Sequence, residues 1–125
     1  MTTRDEISEL LIGFCKAVAN QDTAGVGDYY ATDARLLPPG APLIEGRAGI
    51  ESYLGELFAA GFRSLELDTV DVLEDGGLAV EVGRFTMGFD PSATEVGKYI
   101  AVYRRQSDGT LKIVADTFNS DTPAP

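Results

Sequence analysis

A chain with no histidine and one cysteine must do any chemistry with carboxylates, tyrosines, lysines, arginines or backbone groups. Losing imidazole removes the commonest general base and the Ser-His-Asp and Cys-His arrangements. Asp116 is the strongest remaining candidate for a catalytic group. It sits between Val114 and Phe118, which strand alternation puts on one face, so its carboxylate would be desolvated and in need of a cation or several donors. Such carboxylates mark active sites, and structural ion pairs carry the same signature, so both readings of Asp116 stand at this level. Arg84 is the partner that alternation offers. Leu78, Val80, Val82, Arg84 and Thr86 share a face that begins apolar, which predicts that Arg84 points inward, to pair with Asp116 or hold a ligand's acid group. The competing face, Glu81, Phe85, Met87 and Phe89, would instead leave Arg84 on the surface. Tyr30 and Tyr99 each offer an apolar ring with one hydroxyl, suited to a carbonyl or enolate oxygen and equally to core packing. Tyr29 and Tyr30 cannot both face inward from one short helix, and Tyr53 and Tyr103 read as core or interface.

Other chemistry is thinly supported. Cys15 falls on the apolar stripe of the first helix with no basic neighbour and reads as a small buried hydrophobe. No imidazole and one thiol argue against a metal site. The absence of a phosphate loop or dinucleotide fingerprint argues against a nucleotide cofactor, so no cofactor is expected. A net charge of −10 opposes binding to nucleic acid or to an anionic membrane, and Arg104-Arg105 is too short a basic run to offset it. Lys98 reads as solvated. No apolar run approaches a membrane span, and MTTRDEISELL lacks the basic start and apolar core of a signal peptide, so the expected location is cytoplasmic.

The elements that must position these groups follow from periodicity. Thr3-x-x-Glu6 has the form of a capping box, and Ile7, Leu10, Leu11, Phe14, Cys15 and Val18 then recur at helical spacing. Asp22 can cap a short helix over 23–29. Strands are predicted at 34–37 and 43–45, separated by Pro38-Pro39-Gly40 and Pro42. A third helix opens after Gly46, turns Ile50, Tyr53, Leu54, Leu57 and Phe58 inward and stops at Gly61. Alternation takes over from Arg63, predicting strands at 63–73, 78–89, 96–106 and 111–119 with Gly-containing hairpin turns. In the first of these the apolar phase slips between Leu67 and Val70, which predicts a bulge near Thr69. Helices followed by antiparallel strands make an α+β domain over 1–125, with a loose tail at 121–125. The last two strands are apolar on both faces and helices can cover only one, so a homodimer joined through the sheets is expected.

The segments DYYATDARLLPPGAPLIEGR and GKYIAVYRRQSDGTLKIVADTFNSD resemble the NTF2-like superfamily, in particular its SnoaL-like and ketosteroid-isomerase-like small bacterial proteins of the DUF4440 type. The resemblance implies a cone-shaped, cystatin-like fold with three helices on a strongly curved, mainly antiparallel sheet. It places Asp116 in the conical pocket and aligns Tyr30 with a pocket-facing aromatic, and Arg84, Tyr99, Phe14, Leu54 and Phe58 would complete a ligand-binding wall. Ketosteroid isomerases use an Asp base with a Tyr and a protonated Asp that stabilise the enolate. The matching positions here hold Pro38, Phe14 and Ala101, which cannot do that work. What remains is a stand-alone pocket protein for a small, partly hydrophobic carbonyl- or acid-bearing molecule. Any isomerase, cyclase or dehydratase chemistry would centre on Asp116. The alternative is a non-catalytic ligand-binding or oligomerisation module, because this scaffold hosts both.

Overall fold

A computed structural model of the chain describes residues 1–123. Its elements run α1 (Thr3–Ala19), α2 (Thr23–Gly27), β1 (Tyr30–Leu37), β2 (Ile44–Glu45), α3 (Arg47–Ala59), β3 (Phe62–Asp75), β4 (Leu78–Phe89), β5 (Ala93–Arg105) and β6 (Leu111–Ser120). The capping box of α1 is built one residue earlier than expected, from Thr2 and Asp5. Glu6 is thereby released to pair with Arg105 on β5 at 2.6 Å, and the Thr3 hydroxyl donates to Glu74. Asp22 caps α2 through the Gly25 N–H. That helix ends at Gly27, so Tyr30 is delivered by the first residue of a strand and not by the helix. Gly61, at φ +111°, takes the chain from α3 into β3 in a conformation that side chains disfavour.

The six strands form one mixed sheet in the order β2-β1-β6-β5-β4-β3, with β1 parallel to β6 and every other pair antiparallel. The bulge near Thr69 is present: Thr69 opposes Gly83 while Asp71 opposes Val82, leaving Val70 as the extra residue. A second bulge lies in β6, where Tyr103 opposes Ile113 and Val102 opposes Ala115, leaving Val114 unpaired. Each extra residue bends its strand and resets the alternation beyond it. The sheet curls, and the helices close over its concave face. Ile7, Val18, Val26, Ile50 and Tyr103 are among the most buried side chains of the resulting core.

The convex face carries no helix. Leu37, Leu78, Val96 and Ile100 are exposed there, and the register lines up Leu37, Thr117, Ile100 and Val82 across β1, β6, β5 and β4. At the C-terminus the Asp121 N–H donates to Val96 O, its carboxylate pairs with Lys98, and the Thr122 N–H donates to Ser120 Oγ. The remainder of the tail expected to be loose, Ala124 and Pro125, lies outside the described residues. Among the described residues no helix is long and apolar enough to cross a membrane.

Candidate functional site

β4 decides the polarity of the interior. Its inward face is Ala79, Glu81, Phe85 and Met87, all buried, with Gly83 between them. The competing face therefore wins, and Leu78, Val80, Val82, Arg84 and Thr86 lie on the convex side. This corrects the expected placement of Arg84: it pairs with Asp68 of β3 at 3.6 Å, both side chains well exposed, and touches neither Asp116 nor the cavity. The apolar start of β4 belongs to the same unpartnered convex stripe as Val96, Ile100 and Val102. Apolarity at that point marked the outer face of the sheet and not its core.

Glu81, with no exposed surface, is the polar centre of the concave face. Its Oε2 accepts from Thr69 Oγ1 at 2.8 Å and from the Tyr99 hydroxyl at 2.5 Å, and its Oε1 accepts from the Tyr103 hydroxyl at 2.8 Å. The sheet is shaped to permit this. Tyr99 stands opposite Gly83, and a Cβ at Gly83 would come within 2.4 Å of the Tyr99 ring and hydroxyl. Phe85 crosses Gly97, where a Cβ would come within 2.5 Å of its ring and within 2.1 Å of the Asn119 carbonyl oxygen. Each glycine is thus the space into which an aromatic ring lies down across the neighbouring strand. Burial and the negative charge of Glu81 push the Tyr103 hydroxyl far above its ordinary range. Burial and the Glu81 hydrogen bond do the same for Tyr99. These tyrosines remain protonated donors.

Asp116 is the second carboxylate. The bulge at Val114 puts it on the concave face together with Ile113 and Phe118, so the expected flank of Val114 is replaced by Ile113. The Tyr30 hydroxyl donates to its Oδ2 at 2.8 Å. Oδ1 has no hydrogen-bond partner among the described residues and is not sealed from solvent-sized space. Burial pushes the Asp116 carboxyl up to about 6; the Tyr30 hydrogen bond opposes the rise and the negative Glu81 adds to it. Tyr30 is held from behind, because Arg47, the first residue of α3, donates through Nε to the Tyr30 carbonyl at 3.1 Å. Arg47, which follows Gly46 at the start of α3, thereby ties the helix to the first residue of β1.

Between these groups lies a cavity of about 100 Å³, partly open to solvent. Phe14 and Val18 of α1, Leu54 and Leu57 of α3, and Phe62, Leu65 and Leu67 of β3 form half of its apolar wall. Tyr30, Tyr53, Tyr99, Tyr103, Glu81 and Asp116 supply its polar groups. Of the side chains expected to meet a ligand, Asp116, Tyr30, Tyr99, Phe14 and Leu54 are brought together here. Phe58 is not at the wall: it stacks on Phe62 from behind, ring centroids 5.7 Å apart. Phe14 and Ala101 line the cavity and offer no proton, as the departure from the ketosteroid isomerase pattern required. Cys15 is half-buried, with burial pushing its thiol up to about 11, which keeps it an unreactive thiol. Glu81, Tyr53 and Tyr103 are the polar cavity residues that sequence reasoning did not assign to the site. The signal for Glu81 was available, since the two-faced apolarity recognised in the last two strands applies equally to β4. No group of three or more metal-ligating side chains occurs among the described residues.

Residues 11–115 match the family of SnoaL-like domains. No curated protein matches the chain. Solved structures of similar fold include an NTF2-like protein with a cystatin-like fold from Novosphingobium aromaticivorans, at TM-score 0.82 and 18% identity, covering 97% of this chain and 83% of that one. A ketosteroid isomerase-like protein from Erwinia carotovora atroseptica aligns at TM-score 0.75 and 16% identity, covering 94% and 95%. A suggested calcium/calmodulin-dependent protein kinase II association domain from Xanthomonas campestris aligns at 0.78 and 22%, covering 99% and 91%. At these identities the likeness speaks for the fold alone.

Proposed function

The chain belongs to the SnoaL-like domain family, and we propose that it is a small-molecule pocket protein whose proton-exchanging group is Asp116. The observation that carries this reading is the free Oδ1 of Asp116, turned to an apolar cavity on a carboxyl raised to about 6. A group with that affinity for protons can both take and give one near neutral pH. Tyr30 holds Oδ2 and so fixes which oxygen faces the ligand. Isomerisation, cyclisation or dehydration of a small, mostly apolar molecule would all use such a group.

An acid-bearing ligand loses its support with the relocation of Arg84, since no lysine or arginine lines the cavity. Enolate stabilisation of the ketosteroid isomerase kind is also unsupported. The hydroxyls of Tyr30, Tyr99 and Tyr103 already donate to carboxylates. The exposed apolar stripe of the convex face supports a homodimer joined through the sheets, which is compatible with either a catalytic or a purely binding role.

A carboxyl-detected NMR titration tests the central claim. Asp116 is expected to titrate near pH 6, and a neutral apolar fragment such as cyclopentanol is expected to shift the resonances of Tyr30, Leu54 and Asp116. Titration of Asp116 near pH 4, with fragment shifts confined to the convex face, would refute it.

A further inference from the structure

The hydrogen-bonding sense of the cavity limits what can occupy it. The Tyr30 hydroxyl gives its proton to Asp116, and those of Tyr99 and Tyr103 give theirs to Glu81. A hydroxyl that has donated its one proton can offer a ligand only lone pairs. Asp116 Oδ1 is likewise an acceptor when the carboxyl is ionised. Tyr53 apart, the polar atoms on this wall therefore accept and do not donate, so a carbonyl oxygen arriving here would face lone pairs.

The charge points the same way. Two carboxylates line the cavity and no basic side chain does, so their field is uncompensated in an apolar surround. The rings of Phe14, Phe62, Phe85 and Phe118 line the same space, and aromatic faces attract cations. The chain as a whole carries −10, which draws cations toward any opening.

Resting on the small-molecule pocket reading above, we infer that the preferred occupant is a small apolar amine, its ammonium donating to Asp116 Oδ1 among the aromatic rings. The cavity volume, below the 150 Å³ that admits benzene, restricts it to a compact one-ring skeleton of which part extends through the opening.

Four probes with one ring separate the possibilities: cyclopentylamine, cyclopentanol, cyclopentanone and cyclopentanecarboxylate. Each is titrated into the full chain at pH 7.5, with NMR shifts at Tyr30 and Asp116 as the readout. Cyclopentylamine is expected to bind at least tenfold more tightly than cyclopentanone, cyclopentanol should fall between them, and the carboxylate should give no saturable shift. The preference for the amine should decline as the pH is lowered through 6 and Asp116 takes up a proton. Asp116→Asn should weaken the amine at least tenfold and cyclopentanol less than threefold. Cyclopentanone or the carboxylate binding as tightly as the amine would overturn the amine assignment and leave the pocket standing. Failure of all four to shift cavity residues would overturn both. The comparison among probes needs only the wild-type chain, so it holds whether or not the variant folds.

Discussion

Replacing Asp116 by asparagine keeps the side-chain volume and an acceptor for the Tyr30 hydroxyl while removing the charge, so its effect on stability isolates what burying that charge costs. The carboxyl rises from an ordinary 3.8 to about 6 on folding. The native state therefore binds more protons than the unfolded chain between these values, and stability contributed by this group falls as pH rises through that window. Each unit of pKa is worth about 1.4 kcal/mol, so the full penalty is about 3 kcal/mol, complete above pH 6 and absent below about pH 4. The Tyr30 hydrogen bond, which favours the ionised form, is already contained in that shift. Asp116→Asn is then expected to be about 3 kcal/mol more stable than wild type at pH 8 and no more stable at pH 4.

Urea unfolding of both proteins at pH 4, 6 and 8, at one protomer concentration, measures this. Groups such as Asp5, Glu6 and Asp108, whose carboxyls are held low by hydrogen bonds, make stability rise with pH in both proteins and cancel in the difference. A difference that stays constant with pH, or an asparagine variant less stable than wild type at pH 8, would refute the reasoning.

Gly83→Ala places a Cβ 2.4 Å from the Tyr99 ring and should cost about 1–3 kcal/mol by forcing Tyr99 off Glu81; unchanged urea stability would contradict that packing. Arg84→Ala removes an exposed ion pair and is expected to change stability by no more than about 0.5 kcal/mol, with cyclopentylamine affinity unchanged, and a loss of affinity would return Arg84 to the site. Ile100→Lys puts a charge in the middle of the convex stripe and should convert a dimer to a monomer by light scattering. A wild-type monomer at micromolar concentration would remove the dimer altogether.

Much of the fold was legible because its elements are locally consistent. Asp22, Gly61 and the Gly-containing hairpin turns act where their chemistry says they should, and the slip after Leu67 announced the Val70 bulge. That Asp116 faces the interior was legible from its apolar neighbours alone. Its true flank was not, because the Val114 bulge is set by pairing with β5, and nothing local to β6 signals an unpaired residue. The phase of β4 failed for a different reason. Its two faces carry comparable apolarity, one packed under helices and the other left bare, and alternation identifies the faces without saying which one is covered. The Glu81 cluster followed Arg84 into error, since one residue of phase exchanges a surface arginine for a buried carboxylate.

The two carboxylates of the cavity differ in the one respect that separates structure from function. Glu81 receives three hydroxyl donors on two oxygens, and two glycines in the sheet are given up so that aromatic rings can lie where they do. That is a self-sufficient network: each donor has its acceptor, and its product is a wall of tyrosines fixed with their lone pairs inward. Asp116 receives one donor and keeps an oxygen uncommitted. Folding alone would favour filling that position with a leucine, which would remove about 3 kcal/mol of charge burial and extend the apolar wall. A fold that completes one buried carboxylate and leaves the other half-satisfied, two strands away and lining the same small cavity, supports the proposal that the second partner is supplied from outside.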